Sequence, residues 1–396
     1  MRDRVKSRFA ILDQLLSSST APLFLLTGFI FLPVENFALS AQYVFLYGCL
    51  ASICQAILDE PFQISRKHGS KAIDSSEYTS ASLILAVLIT ILSFPLSLLI
   101  TESWKLSLML SLPVVSMLMQ NSKRTWRIEH NSWFLLLISD ALWFLSSIIL
   151  ILSTRISGDY FLLIAWGIPG IIALGIILDY SDFRKINLLL GWFLLLNFSR
   201  RYYYVVLEVT FSGVSMILAY WTITKYLGES QISLLRYTSL LFGLSTVIIN
   251  KQRVFDLAGE SIDQVSMATN RNLSARIKEI CTIVAFNFFV LFCIFALLDS
   301  INTGLEGASP GALLLFVTAL DRLNVGLLMS VTIFYKAHKN PKTIAKIRTL
   351  VAGTSACIYV VLALIDSNLA LVIFLGSIPY LLSFGMIYFR FLKVKS

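Results

Sequence analysis

Long apolar stretches alternate with short polar ones along this chain, and most of the apolar stretches share one length class. They fall near 10–32, 37–58, 80–100, 104–121, 132–153, 160–179, 203–226, 230–250, 279–298, 312–335, 349–366 and 368–389. Segment 81–100, ASLILAVLITILSFPLSLLI, is representative: it is apolar on all sides of a helix for about twenty positions, the length needed to cross bilayer hydrocarbon. Barrel strands would show strict alternation over about ten residues instead. In lipid every backbone group must be paired internally, so unbroken runs of this length read as helices. The pattern predicts an all-α integral membrane protein with about twelve transmembrane helices.

One run breaks the pattern. INLLLGWFLLLNF, at 186–198, is apolar but short, and it is bracketed by Arg184–Lys185 and Arg200–Arg201. A helix of that length does not span; it predicts an interfacial segment on the cytoplasmic face. Its midway position divides the chain into a six-helix lobe at 1–180, a linker helix at 181–202 and a second six-helix lobe at 203–396. The halves echo each other at an offset of 195: Asp13 aligns with Glu208, Ser17 with Ser212, and Leu46-Tyr47-Gly48 with Leu241-Phe242-Gly243. Repeated halves are a common construction for transporters.

Composition agrees, with 57% hydrophobic and only 14% charged residues, against about a quarter charged in soluble domains. The net charge of +9 looks like a nucleic-acid signal until the basic residues are placed. Twenty-seven of the 32 fall in segments on one side, three (Lys105, Arg155, Lys225) on the other, and Arg236 and Arg322 lie inside spans. That asymmetry puts both termini in the cytoplasm and leaves no nucleic-acid partner. On this count Lys123, Arg124 and Arg127 belong to a cytoplasmic segment at 122–131, and 251–278 reads as a solvated linker.

The five cysteines sit in apolar runs without metal-ligand spacing, and His68, His130 and His338 are scattered, so no metal or cofactor is expected. The longest outer connection, DSINTGLEGASPG at 299–311, has no histidine and no clustered acids. It offers nothing from which to build an outer-face enzyme such as a glycan polymerase or ligase, and the chain reads as a transporter, not an enzyme. Pro95, Pro113 and Pro169 predict kinks in the third, fourth and sixth spans.

Ionisable side chains inside spans are costly and therefore candidates for function. Arg236 and Arg322 suit an anionic ligand, because a guanidinium stays charged and donates paired hydrogen bonds to phosphate or carboxylate. Asp13, Glu208, Asp140 and Asp321 are candidates for ion coupling or gating. A structural reading stands beside each: Asp13 and Glu208 as acids near helix N-termini, Asp140 as a packing hydrogen bond, and Arg322 as counter-ion to Asp321, Asp140 or Glu208. Asp321 and Arg322, adjacent on one helix, point about 100° apart and are expected to have separate partners.

Three stretches also carry a family resemblance. The opening RFAILDQLLSSSTAPLFLLTGFIFLPVENFALSAQYVFLYGC, with Asp13, Gln14, Ser17–Ser19 and Glu35, followed by Glu60-Pro61, resembles the polysaccharide transporters and O-antigen flippases. The basic cluster Lys123, Arg124 and Arg127 followed by SDALW, with Asp140 and Trp143, fits as well. LEVTFSGVSMILAYWTITKYLGESQISLLRYTSLLFG resembles that family's seventh and eighth helices. The chain departs from the family in having fewer helices than many O-antigen flippases, and Leu32-Pro33-Val34 where Gly-Pro is usual. The superfamily also contains multidrug and toxin extruders, so the resemblance implies a MATE-like fold. It implies translocation of an undecaprenyl-diphosphate-linked oligosaccharide across a bacterial inner membrane by alternating access. The implied partners are that lipid-linked oligosaccharide, membrane lipids, and a glycan polymerase with other glycan-assembly proteins. A cation-coupled drug exporter is the alternative within the same fold.

Overall fold

The computed structural model describes Asp13, Leu16, Ser17, Thr20 and Phe24 of the first 33 residues, and 34–393 apart from 68–72, 131, 155–162, 179, 229–230, 232–233, 236–237, 240, 243–261, 301–310, 339–340 and 366. Most of the runs at 10–32 and 230–250, with Arg236, and most of the outer connection 299–311 lie outside the described residues. The regular elements among the described residues are helices. Eight of them are long and apolar enough to cross a membrane. Many of the large side chains they expose are apolar, among them Ile91 (65%), Leu99 (67%) and Phe389 (67%), whereas Asp13, Asp140 and Glu208 are buried. This inversion of the soluble pattern marks a multi-pass membrane protein.

The chain divides into two compact units, Met1–Gly213 and Val214–Ser396. In the first, α1 (Val34–Cys54) runs into a π-helical turn at Gln55–Asp59 and then α2 (Glu60–Lys67). There follow α3 (Ser75–Thr101), α4 (Trp104–Ser111), α5 (Val114–Glu129) and α6 (Trp133–Thr154). A second π-helical turn, Leu163–Gly167, leads into α7 (Ile168–Ile177), then α8 (Tyr180–Arg184), α9 (Leu188–Arg201) and α10 (Tyr203–Leu227), which crosses the division. α3 is the central post and packs against α1, α4, α5 and α9. Its buried face is lined by Ser80, Ser82, Ser93 and Ser97, small residues that let helices approach closely without a hydrophobic driving force.

The short apolar segment forms α9, a helix of 14 residues, about 21 Å long at helical rise. The Asn187 N–H donates to Ser80 Oγ (3.0 Å) near the start of α3. Gly191 lies so close to α3 that a Cβ there would stand 2.7 Å from the Ala81 backbone nitrogen. The chain leaves α9 at Tyr202 and enters α10 directly, with Tyr204 beside Glu60 at the start of α2.

Two expectations fail. The run at 104–121 is not one helix: α4 stops at Ser111 and α5 starts at Val114, because Pro113 has no N–H to continue the ladder. α5 then extends to Glu129, so the basic segment is helix from 122 to 129, with Ser122, Lys123, Thr125 and Trp126 buried. Nor is 251–278 wholly a linker. Its described part begins α11 (Ile262–Ser300), a helix of 39 residues. No Gly or Pro interrupts 262–300, so once nucleated the helix gains a hydrogen bond with each added residue.

In the second unit α11 is followed by α12 (Ala312–His338), α13 (Pro341–Leu364) and α14 (Leu369–Lys393). α12 packs against α11 and α14, and α13 against α14. One core joins Ala219, Ile223, Val317, Ala363 and Val372; a second joins Leu328, Val331, Ile344, Val351 and Ile387.

Candidate functional site

The C-terminal half of α5 carries a run of polar residues, 120–127, that reach into the first unit on several faces. Arg124 stands between two buried acids. Its Nη2 donates to Asp13 Oδ2, and its Nε donates to Asp140 Oδ2 at 2.9 Å. Gln120 Nε2 donates to the other Asp140 oxygen at 3.1 Å. Asp13 Oδ1 has no hydrogen-bond partner among the described residues. The triad ties Asp13 to α5 and α6 and places two carboxyl groups around one guanidinium. Asn121 Nδ2 donates to the Tyr47 hydroxyl at 2.9 Å, and both Nε and Nη2 of Arg127 donate to the Ile177 carbonyl at the end of α7.

Beside the triad lies a cavity of about 110 Å³, walled by Arg124, Asp140, Gln120, Asn121, Tyr47, Trp143 and Trp166 among others. Trp166 sits in the π-helical turn. Such a turn redirects side chains relative to an α-helix and often occurs at functional sites. The Trp166 ring stacks on Phe24 at 5.6 Å and meets Tyr47 edge-on at 5.0 Å, with Trp143 6.3 Å away.

Two further networks surround α5. Tyr78 donates to Asp59 Oδ1 (2.6 Å) and to the Ser122 carbonyl (3.2 Å), under a stack of Phe62 and Trp126. Lys123, buried to 1%, pairs with Asp182 at 2.8 Å. Burial alone would raise the Asp182 carboxyl, but hydrogen bonds from Lys123 and Ser75 outweigh it and hold the acid below the ordinary carboxylate range.

In the second unit Arg322, on α12, is half-buried and differs from Arg124 in its partners. Its guanidinium has no hydrogen-bond or ion-pair partner among the described residues, and its Nε is shielded from solvent. The neighbouring Asp321 interacts with it electrostatically, and Asp321 in turn with Tyr359 and Tyr380. One turn along, Asn324 donates to Ser377 Oγ at 3.2 Å, while Ser355 donates to the Gly376 carbonyl at 2.6 Å.

Of the candidate residues, Asp13 and Asp140 come together around Arg124, and Asp321 and Arg322 adjoin on α12. Glu208 is buried on α10, outside the triad. Arg236 lies outside the described residues. Asp140 is held by Arg124 and is not the counter-ion of Arg322. Arg124 itself, with Gln120 and Trp166, was not among the candidates. The available signal was the uninterrupted helix-forming run QNSKRTWR, in which residues 120, 124 and 127 share one helix face.

No family model and no curated protein matches the sequence. Solved structures do match its fold. A variant of the Vibrio cholerae MATE transporter VcmN superposes with a TM-score of 0.63 at 10% identity, covering 98% of this chain and 95% of that one. The lipid II flippase MurJ, in an inward closed conformation, gives 0.64 at 16% identity, covering 99% and 87%. A MOP-superfamily transporter from Pyrococcus furiosus, described for the reverse polarity of its binding pocket, gives 0.57 at 13% identity, covering 99% and 96%. The chain has the all-α, MATE-like membrane fold that multidrug transporters and a lipid flippase share.

Proposed function

We propose that this protein is a flippase that moves an undecaprenyl-diphosphate-linked oligosaccharide, such as an O-antigen repeat unit, across the bacterial inner membrane by alternating access. The observation that carries the reading is Arg322. A guanidinium in the middle of a membrane helix is costly; here Asp321 is its electrostatic neighbour, and no hydrogen-bonded partner among the described residues holds it. A diphosphate or acidic sugar would supply two parallel acceptors for it. Arg236 is assigned the same role from its position in the sequence. Two carboxyl groups around one guanidinium in the Asp13–Arg124–Asp140 triad suit exchange of one proton or cation, and Glu208 and Asp321 are assigned to the same coupling or gating. The lobes 1–180 and 203–396, joined by the linker 181–202, are the moving parts, with both termini cytoplasmic. A glycan polymerase and other assembly proteins would act on the product.

The test compares surface glycan with the amount of inserted protein. Arg322→Ala abolishes export while the protein still inserts, since one such residue changes translocon insertion by only about 3 kcal/mol. Arg322→Lys keeps charge but not the fork and retains part of the export. If Arg322 were only a counter-ion, Arg322→Ala combined with Asp321→Asn would restore export, and that result would sink its role as a substrate contact.

A second reading, cation-coupled drug export, is favoured by the acid and the three aromatic rings lining the first unit's cavity. Efflux of lipophilic cations that persists in Arg322→Ala would support it over the flippase.

A further inference from the structure

α9 presents a face that the proposed transport cycle leaves unused. Gly191, Leu195, Phe198 and Tyr202 recur at the spacing of one helix face and are buried, Leu195 to 5% and Phe198 to 6%. On the opposite face Leu189 is 70% exposed and Phe193 59%, and the same stripe ends at Arg200, also exposed.

Basic pairs close both ends of the helix: Arg184–Lys185 before it and Arg200–Arg201 in its last turn, all four exposed. Positions 180–204 hold one acid, Asp182, and Lys123 already engages it. Asp74 lies near Lys185. Arg200 and Arg201 have no ion-pair partner among the described residues, and the Arg201 guanidinium lies over the Tyr202 ring at 5.6 Å.

The seat of α9 on α3 sets its depth. α3 has 27 residues, about 40 Å at helical rise, against about 30 Å of bilayer hydrocarbon. Gly191 meets it at Ser80 and Ala81, about 8 Å from its start. That level is the boundary between acyl chains and headgroups.

Three occupants can be weighed for the exposed face. A water-soluble protein would have to cover Leu189 and Phe193 at the edge of the hydrocarbon. The diphosphate of one lipid-linked substrate is only a few ångströms across, whereas the basic pairs stand apart by the length of the 14-residue α9, about 21 Å. A leaflet of acidic phospholipids meets both conditions. Its acyl chains receive the leucines and Phe193, and its many phosphates reach both basic pairs at once.

We infer that α9 is a docking surface for acidic phospholipids, gripped by Arg184–Lys185 at one end and Arg200–Arg201 at the other, with Leu189 and Phe193 in the acyl region. The inference is independent of what the protein transports.

The test is native mass spectrometry of the full chain released from detergent with equal amounts of phosphatidylglycerol and phosphatidylcholine of the same acyl chains. The expected result is retention of phosphatidylglycerol over phosphatidylcholine by about tenfold, within what four basic residues supply at an anionic surface. Arg200→Gln combined with Arg201→Gln reduces the preference to about threefold or less, and the Arg200→Lys, Arg201→Lys pair retains it. Arg184→Gln with Lys185→Gln reduces it as well and covers the case in which the arginine pair does not insert. Lys342 and Lys346, exposed on α13, provide the control: Lys342→Gln with Lys346→Gln leaves the preference unchanged. The surface is overturned if the native chain shows no preference, if neither α9 pair alters it, or if the α13 control lowers it equally. It is also overturned if undecaprenyl diphosphate displaces phosphatidylglycerol from the native chain but not from the Arg200→Gln, Arg201→Gln protein, which would make α9 a substrate contact. A dimer that dissociates in that same variant would assign the face to a second copy of the chain instead.

Discussion

Arg124 in the first unit and Arg322 in the second are the same side chain, and the fold treats them in opposite ways. Arg124 lies between Asp13 and Asp140, with two of its three nitrogens engaged. Arg322 has one acid beside it on its own helix and no hydrogen-bonded partner among the described residues. In the proposed function the paired guanidinium is part of the structure, and the one without a hydrogen-bonded partner receives the substrate's anionic group. The contrast turns on partners, not on depth or residue type.

Arg124→Ala should break the comparison most visibly. It leaves two buried carboxylates facing each other without a counter-ion, which costs about 3–5 kcal/mol. Inserted protein should fall steeply and recover in Arg124→Ala combined with Asp13→Asn and Asp140→Asn. Arg322→Ala should leave the protein level nearly unchanged. Equal losses in the two single variants, measured by thermal unfolding in detergent, would erase the distinction.

Two glycines sharpen it at the level of packing. A Cβ at Gly191 would meet the Ser80 and Ala81 backbone at 2.7 Å, where neither helix can yield locally. A Cβ at Gly376 would meet the Tyr359 ring at 2.5 Å, and a ring can tilt. Gly191→Ala should therefore cost more than Gly376→Ala, both within the range of about 1–3 kcal/mol typical of overpacking. The reverse order of melting temperatures would contradict the close seating of α9 on α3.

The smallest effect is in pH. Asp182 is held below the ordinary carboxylate value by Lys123 and Ser75. Its folded value is depressed, so its contribution is complete above the unfolded value of about 3.9 and is lost as pH falls through the folded value. Acid unfolding of the native chain should steepen below about pH 4, and Asp182→Asn should flatten that limb. An unchanged acid limb would show that the Lys123–Asp182 pair adds nothing.

The membrane class was legible in the sequence because helix length and apolar continuity are local properties that the bilayer enforces, and the MATE-like fold was implied by the family resemblance. The charge count that set the topology also concealed the site. It treated Lys123, Arg124 and Arg127 as solvated loop, whereas α5 continues through them to Glu129. A local rule places a basic cluster at a span's end in water; only the third dimension brings Asp13, 111 positions away, and Asp140 to Arg124. Asp13 and Asp140 were readable as candidates because an acid within an apolar run is conspicuous. The break at Pro113 was legible as a kink but not as two helices, and the extension of α11 through 262–278 was missed because polarity was taken for solvation.

The central claim is that this chain moves a lipid-linked oligosaccharide and that Arg322 receives its anionic part. The most direct measurement reconstitutes purified protein in liposomes whose inner leaflet carries a fluorescent diphosphate-linked oligosaccharide, and follows its exposure to an external lectin. The account predicts accelerated exposure with the native chain, partial exposure with Arg322→Lys, and the protein-free rate with Arg322→Ala. Exposure no faster than in protein-free liposomes, or an Arg322→Ala protein as active as the native one, would contradict it.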